Sequence, residues 1–275
     1  MRVSTRSWVG LVAVIVYVAC AGGLGELLTQ WFPPDSDVAE LVLSHIPVLI
    51  PLIVGGVLFV RWSGWSRIVW RAPAAFETAP RRWWMLAFPV LLLVQSVVVL
   101  AGAPWSSWNL AVLSLVLFVN VLVGVGEELY FRGILRASIR AHHGEALTLI
   151  GTSLLFGAAH ALGSVLAGVP LGFLAFQVAV TAASGAVLYG VVRATGRLWV
   201  AMALHGLSDF ALRASSGDLS ARSADDLNPA PANVVIQAVL WALALVLLIS
   251  CIREDVKARR EARRPASTPT AADRV

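Results

Sequence analysis

Eight runs of mostly apolar residues, each near the length of a membrane-spanning helix, make up most of this 275-residue chain. A helix needs about 20 such residues to cross the hydrocarbon core of a bilayer. We place the spans at Trp8–Leu28, Leu41–Val60, Trp84–Ala103, Leu110–Gly126, Leu147–Leu162, Leu171–Val192, Leu198–Leu212 and Val234–Ile252. The sequence therefore predicts an all-α, polytopic membrane bundle over residues 1–252. A basic tail over residues 253–275 is expected to begin as a charged helical extension and to end disordered.

Composition supports the membrane assignment and excludes a large soluble domain. The chain is 58% hydrophobic and 13% charged, whereas a soluble domain carries about 25% charged residues. A net charge of +5 could suggest a nucleic-acid partner. The basic residues lie between spans and at the C-terminus, not on one face, so we expect the lipid bilayer and no nucleic acid. Abundant arginine with a single lysine, Lys257, indicates a GC-rich and hence bacterial coding sequence.

Loop charges predict how the bundle is oriented. Of the 21 basic residues, 19 fall on one side of the predicted membrane, and only Arg213 and Arg222 fall on the other. Since lysine and arginine accumulate on the cytoplasmic side, both termini are predicted to be cytoplasmic in a bacterial plasma membrane. An alternative is that Arg2, Arg6 and the small residues around Cys20 form a cleaved secretory signal. Cleavage would leave the other seven spans oriented as before.

Ionisable side chains occur in three places within or beside these spans. A charge near the bilayer centre costs roughly 3 to 10 kcal/mol, so each place calls for an explanation. The first is Glu127-Glu128 with Arg132, at the end of the fourth span. Glu128 and Arg132 are four residues apart on a helix and can pair, whereas Glu127 is free to point elsewhere and to accept a proton from water.

The other two places lie on the fifth and seventh spans. Phe156 and His160 are four residues apart and share one helix face. His205 and Asp209 have the same spacing, so they can hold one water molecule or one metal ion together, or Asp209 can orient His205.

Each place also has an ordinary structural explanation. They are, respectively, an acidic turn with a local ion pair, a packed histidine bonded to a backbone carbonyl, and a polar pair near a short span. Three independent accidents are improbable in so apolar a chain, so we predict a single intramembrane site. We interpret His45, His142 and His143 as surface residues. Other polar groups of the sixth span can line the same cavity: Gln177, Thr181 and Ser184.

In chain order the segments E-E-L-Y-F-R-G, F-G-A-A-H and H-G-L-S-D resemble the motifs of the CPBP family. This family comprises the CAAX-prenyl-protease-like and bacteriocin-processing intramembrane proteases, also called Abi proteins. Its pattern is EExxxR, then FxxxH, then His followed four residues later by Asn or Asp. The resemblance covers roughly Leu110–Leu212, the motif core of the predicted bundle.

The resemblance implies an intramembrane endopeptidase that hydrolyses membrane-associated peptides or proteins in a cavity open to the cytoplasm. Glu127 would activate water with help from His160. Glu128 and Arg132 would form a supporting pair.

By the same resemblance, His205 and Asp209 would stabilise the oxyanion or complete a metal site. Two histidines and a carboxylate make an acceptable zinc set with a position left for water, and a tentative set is His160, His205 and Glu127. An ionised Asp209 cannot donate a hydrogen bond to an oxyanion, which favours the metal over a purely organic site.

Two questions stay open at the level of sequence. On the predicted boundaries Glu127 lies near the inner surface and His160 toward the outer end of its span. The site therefore assembles only if the fifth span starts later or the fourth helix sits further out. A non-catalytic scaffold or immunity protein of the same fold is the main alternative function, and a proton-coupled transporter is a further one.

Overall fold

The computed structural model describes residues 2–78, 80–166, 169–219 and 231–263. Over these ranges the chain is all-α, and its only β-type pairing is one isolated bridge between Arg71 and Arg197. The helices are α1 (Ser7–Trp31), α2 (Asp37–Ser63), α3 (Ser66–Trp70), α4 (Trp83–Ala101), α5 (Leu110–Arg140), α6 (Glu145–Leu166), α7 (Leu171–Thr195), α8 (Leu198–Ser215) and α9 (Pro231–Ala262).

Seven of the helices in the described ranges are long and apolar enough to cross a membrane, which confirms an all-α polytopic bundle. The predicted seventh span, α8, forms a helix as expected but is not among them. Its polar residues, including His205, Asp209 and Arg213, lower its mean hydropathy. Since α8 packs against α4, α5 and α7, its polar side chains can face the interior of the bundle.

Several helices extend beyond the predicted spans. α5 continues past Gly126 to Arg140 and includes a π-helical stretch at Leu129–Leu135. α9 continues to Ala262, so the domain boundary that we predicted at residue 252 falls inside a helix. The charged helical extension is therefore present, and the tail from residue 264 onward lies outside the described residues.

Two glycines bring the backbones of α5 and α8 into contact beside the predicted site residues. A Cβ atom added at Gly124 would lie 2.6 Å from the backbone nitrogen of Gly206, and one added at Gly206 would lie 2.9 Å from the carbonyl oxygen of Asn120. Small residues allow such close approach of helices in membranes. Because Glu127 follows Gly124 by one turn and His205 precedes Gly206, this contact sets the distance between the two side chains.

The outer surface of the bundle is apolar. Large side chains such as Leu110, Leu171 and Phe176 are mostly exposed, while Trp65, Phe131 and Tyr189 are fully buried. Contiguous apolar surface of this extent is unfavourable in water. The described residues therefore form an integral membrane protein with lipid as its surrounding solvent.

A group of charged side chains joins the helices at the end of the bundle where α5 meets α6, which we call the basic end. We refer to this group as the ionic network. Its members are Arg82, Arg140, Glu145, Tyr189, Arg193, Glu254 and Asp255. Arg193 bridges Glu145 at 3.2 Å and Glu254 at 3.0 Å. The carboxylate of Asp255 accepts the backbone N–H groups of Glu145 and Ala146 at 2.8 and 3.0 Å, which caps α6.

Candidate active site

Residues from α5, α6 and α8 meet inside the bundle, as the sequence predicted. Oε1 of Glu127 lies 3.9 Å from Nε2 of His160, and its Oε2 lies 3.7 Å from Nε2 of His205. Nε2 of His205 also lies 3.3 Å from Oδ2 of Asp209. One carboxylate thus faces two imidazoles that are 45 residues apart in the sequence.

The length of α5 resolves the difference in depth between Glu127 and His160. Glu127 lies 13 residues before the end of α5 at Arg140, and His160 lies 15 residues after the start of α6 at Glu145. At a rise of 1.5 Å per residue, both are about 20 Å from the turn that joins the two helices. The part of α5 that carries Glu127 therefore lies further from the cytoplasmic surface than the predicted spans imply. This is one of the two arrangements that allow the site to assemble.

Glu128 and Arg132 form a buried pair that holds His205. Arg132 donates to Oε1 of Glu128 at 2.8 Å, and both side chains are fully buried. The same carboxylate oxygen lies 2.9 Å from Nδ1 of His205. The guanidinium of Arg132 also donates to the carbonyl of Gly185 at 3.0 Å and lies 4.0 Å above the ring of Phe156. These contacts fix the orientation of the His205 ring.

The hydrogen bond at Nδ1 of His160 determines what its other nitrogen can do. Nδ1 lies 2.8 Å from the carbonyl oxygen of Phe156, and a carbonyl only accepts, so Nδ1 carries the hydrogen. In the neutral ring, Nε2 then presents a lone pair toward Glu127. The side chain of His160 is 36% exposed, compared with 8% for His205, so His160 is the more accessible imidazole.

Three buried polar atoms at the site have no hydrogen-bond partner within the described ranges. They are Oε2 of Glu127, Oε2 of Glu128 and Nε of Arg132. A buried polar atom without a partner costs about 1–3 kcal/mol. Such a cost is typical of sites whose arrangement serves a ligand or a reaction rather than stability alone.

Two cavities adjoin the site. The smaller, about 420 Å³, lies among α4 and α6–α9 and is lined by His205 and Asp209. The larger, about 860 Å³, lies among α1, α2, α5 and α6 and is lined by Glu127. His160 lines both cavities, so the site lies where they meet.

Both cavities lie in the half of the bundle away from the basic end. Their linings include Gln30 near the end of α1 and Val99 near the end of α4, together with Asn233 near the start of α9. The predicted orientation puts the basic end in the cytoplasm, which directs the cavities toward the outer leaflet. This conflicts with the cytoplasmic opening implied by the family resemblance, so those two expectations cannot both hold.

Some polar residues lie where the sequence did not place them. The loop-charge argument predicts Arg136 on the cytoplasmic side, yet it is buried and donates to the carbonyls of Arg132 at 2.6 Å and Ile68 at 2.9 Å. The sequence predicts His45 at the surface, yet it is half-buried and lines the larger cavity. The π-helical stretch shifts Arg136 to an inward-facing position, and the cavity accounts for His45.

Other expectations are confirmed. His142 and His143 are exposed in the turn after α5. Thr181 and Ser184 line the smaller cavity. Gln177 instead donates to the carbonyl of His160 at 3.3 Å.

Sequence reasoning missed a second polar group in the smaller cavity. It comprises Gln95 and Ser96 of α4, Ser208 of α8, and Asn233 and Gln237 of α9. Side-chain amides are as unexpected as histidines inside apolar spans, so the sequence does contain a signal for this group. These amides match no motif, which is why the sequence does not single them out.

The tentative zinc set of His160, His205 and Glu127 stays a prediction. In the described part of the chain, no group of three or more His, Cys, Asp or Glu side chains is positioned to hold a metal ion. Nε2 of His205 faces two carboxylates at 3.3 and 3.7 Å. The contact of His205 with Glu128 resembles the outer-shell carboxylate of many zinc sites.

The fold and the site define an integral membrane protein with a helical bundle and a buried cluster of carboxylates and imidazoles. Residues 107–211 match the family model described as "Type II CAAX prenyl endopeptidase Rce1-like". This segment carries every residue of the predicted site, and the match supports a CAAX protease-like family. At the level of the family, the match supports a CAAX-type intramembrane protease. Comparisons with curated proteins and with solved structures give no significant match.

Proposed function

We propose that this protein is an intramembrane endopeptidase that hydrolyses a peptide bond of a membrane-associated peptide or protein. The observation that carries the proposal is the position of Glu127, whose two oxygens face two imidazole nitrogens at 3.9 and 3.7 Å where two cavities meet. Peptide hydrolysis needs a base, an oriented water and a donor at the developing oxyanion. Glu127, His160 and His205 supply these functions.

Glu127 is the proposed general base. Separations of 3.7 to 3.9 Å are too long for direct hydrogen bonds but suit a single bridging water. That water donates one hydrogen to Glu127 and the other to the lone pair on Nε2 of His160. The oxygen of the water is then directed at the substrate.

His205 is the proposed oxyanion donor. Its two nitrogens face Glu128 and Asp209 at 2.9 and 3.3 Å, and ionised carboxylates only accept hydrogen bonds. Both contacts are hydrogen bonds when the ring is an imidazolium. Its Nε2–H then directs a positive donor at the smaller cavity, where the substrate carbonyl replaces Asp209 as the acceptor. Asp209 serves to orient His205.

The reaction needs no group beyond these residues and water. The water oxygen bonds to the carbonyl carbon while Glu127 takes its proton, and His205 stabilises the negative oxygen. Glu127 then gives the proton to the amide nitrogen, and the C–N bond breaks to leave a carboxylic acid and an amine. The Glu128–Arg132 pair holds His205 in place and does not touch the reacting atoms.

Cleavage of a library of membrane-spanning peptides by the purified protein tests the proposal. Glu127→Gln removes the base and is expected to lower kcat/KM by about 10²- to 10⁴-fold. The matched control is Glu26→Gln, which removes a carboxylate that lines the larger cavity and bonds only to Gln30 among the described residues. Equal product patterns for the wild type and Glu127→Gln would overturn the proposal, and the absence of products from both would favour a non-catalytic scaffold of the same fold.

The same preparation tests the zinc prediction. Metal content is measured in the wild type and in His160→Ala by elemental analysis. Full activity of wild-type protein without stoichiometric metal supports the metal-free reaction. Stoichiometric zinc in the wild type that is lost in His160→Ala would instead support a metal-assisted reaction.

A further inference from the structure

Three side-chain amides meet on the wall of the smaller cavity, and we call them the amide cluster. Nε2 of Gln95 donates to Oδ1 of Asn233 and to Oε1 of Gln237, both at 2.8 Å. All three residues are half-buried within helices α4 and α9. Polar side chains inside membrane-spanning helices are costly unless they have partners or face water or a ligand.

The cluster uses only part of its hydrogen-bonding capacity. Both hydrogens of the Gln95 amide are used, and so are the carbonyl oxygens of its two partners. Oε1 of Gln95 and the NH₂ groups of Asn233 and Gln237 take no part in these two hydrogen bonds within the described part of the chain. A link between two helices needs one hydrogen bond, and this cluster keeps an acceptor and two donor groups beside a cavity.

A polar path connects the cluster to the proposed active site. Ser96 follows Gln95 on α4, and its hydroxyl lies 3.1 Å from that of Ser208 on α8. Ser208 in turn precedes Asp209, which contacts His205. These residues all line the smaller cavity, so polar groups are present along its wall from His205 to the cluster.

We propose that the amide cluster is a binding subsite for the main chain of the substrate peptide. The main chain offers alternating N–H donors and C=O acceptors, and primary amides complement both. A peptide whose scissile bond lies at His205 would place neighbouring peptide groups along this wall in an extended form. The inference rests on the proposed function and adds to it that recognition is through the backbone, and hence tolerant of side-chain sequence.

Backbone N-methylation tests the subsite, because it removes one N–H at a time from the peptide. The probe is a fluorescent membrane-spanning peptide from the cleavage library, and its binding is measured by anisotropy to Glu127→Gln protein, which does not require catalysis. Methylation at one or two positions is expected to weaken binding about three- to tenfold. Gln95→Leu, introduced into the same protein, removes the acceptor oxygen of the Gln95 amide. Binding of the unmethylated peptide is then expected to weaken by a similar factor, and methylation at those positions should cause no further loss of affinity.

Two further variants make the result specific. Gln237→Leu removes the cluster from the α9 side and guards against a folding defect peculiar to Gln95→Leu. Asn120→Leu is the matched control, because its amide is bonded to the carbonyl of Val116 on its own helix at 2.8 Å and lines neither cavity. This control is expected to keep both the affinity and the methylation penalties.

Methylation penalties that are the same with and without Gln95 and Gln237 would overturn the subsite and leave the cluster as a link between α4 and α9. The proposed function is judged separately, by whether wild-type protein cleaves and Glu127→Gln does not. If Gln95→Leu leaves the methylation penalties unchanged while the wild type still cleaves, only the subsite is rejected. If Gln95→Leu removes the penalties but the wild type does not cleave, only the protease is rejected.

Discussion

The ionic network at the basic end pairs carboxylates with arginines, whereas Glu127 of the candidate active site faces histidines, and the two regions differ in how closely these partners approach. In the network, Arg193 and Glu254 are 3.0 Å apart, and Arg140 and Glu145 are 2.6 Å apart. At the site, Glu127 stands 3.7 and 3.9 Å from its two imidazoles. Closed contacts stabilise the bundle, whereas open contacts leave room for a small molecule between the partners.

The contrast recurs between two neighbouring residues. Glu128 is fully buried and shares one oxygen between Arg132 and His205. Glu127, one residue earlier, is partly exposed and lines a cavity. Burial with a counter-ion makes Glu128 a structural group, and cavity exposure makes Glu127 available to a substrate.

The largest expected effect comes from Arg132→Met. It leaves Glu128 buried without its counter-ion, which typically costs about 3–5 kcal/mol, and it frees the His205 ring. We expect a large drop in the free energy of unfolding, measured by denaturation in detergent, and loss of detectable cleavage. The counterpart in the network is Arg193→Met, which should lower stability by about 1–3 kcal/mol while folded molecules keep their kcat/KM. Equal losses of activity per folded molecule in both variants would contradict the distinction between the two regions.

The next effect tests whether helix spacing maintains the open contacts. Gly124→Ala places a methyl group against Gly206, and overpacking of this kind costs about 1–3 kcal/mol. Because α8 must move away from α5, His205 should move away from Glu127 and kcat/KM should fall more than stability alone explains. Gly55→Ala is the matched control, since nothing lies within 4 Å of its added Cβ atom. If both substitutions leave kcat/KM unchanged, helix spacing does not control the site.

A smaller effect is expected for Asp255→Ala. This substitution removes the acceptor for the backbone N–H groups of Glu145 and Ala146, and loss of such a cap costs about 1 kcal/mol. Thermal unfolding should shift downward, and cleavage by the folded fraction should not change. A change in KM would instead indicate that the start of α6 transmits to the site.

The smallest effect is expected for Lys257→Ala. Its pair with Glu261 is 3.8 Å long and mostly exposed, and exposed pairs contribute about 0–1 kcal/mol. Unfolding and cleavage should both match the wild type within error. A measurable loss of stability would show that even exposed charges near the basic end belong to the network.

The sequence was sufficient for the helical bundle and for the meeting of Glu127, His160 and His205, because apolar run length and intramembrane charge are strong local signals. It was insufficient for Arg136, whose inward position depends on a π-helical stretch that has no residue signature. It was also insufficient for the amide cluster, since Gln95 and Gln237 lie 142 residues apart in the sequence and only the packing of α4 on α9 joins them. The contact distances within the network are shorter than those between Glu127 and its two imidazoles, and this difference also depends on how the helices pack.

The π-helical stretch at Leu129–Leu135 has a consequence for the register of α5. A wider turn delays the rotation of the side chains, by about 100° for each residue that it effectively adds. Glu127 can therefore point toward α8 while Arg136, on the same helix, points toward the carbonyl of Ile68 in α3. In a chain shortened by one residue here, a regular helix would turn Glu127 and Arg136 relative to each other, and both could not face their present neighbours.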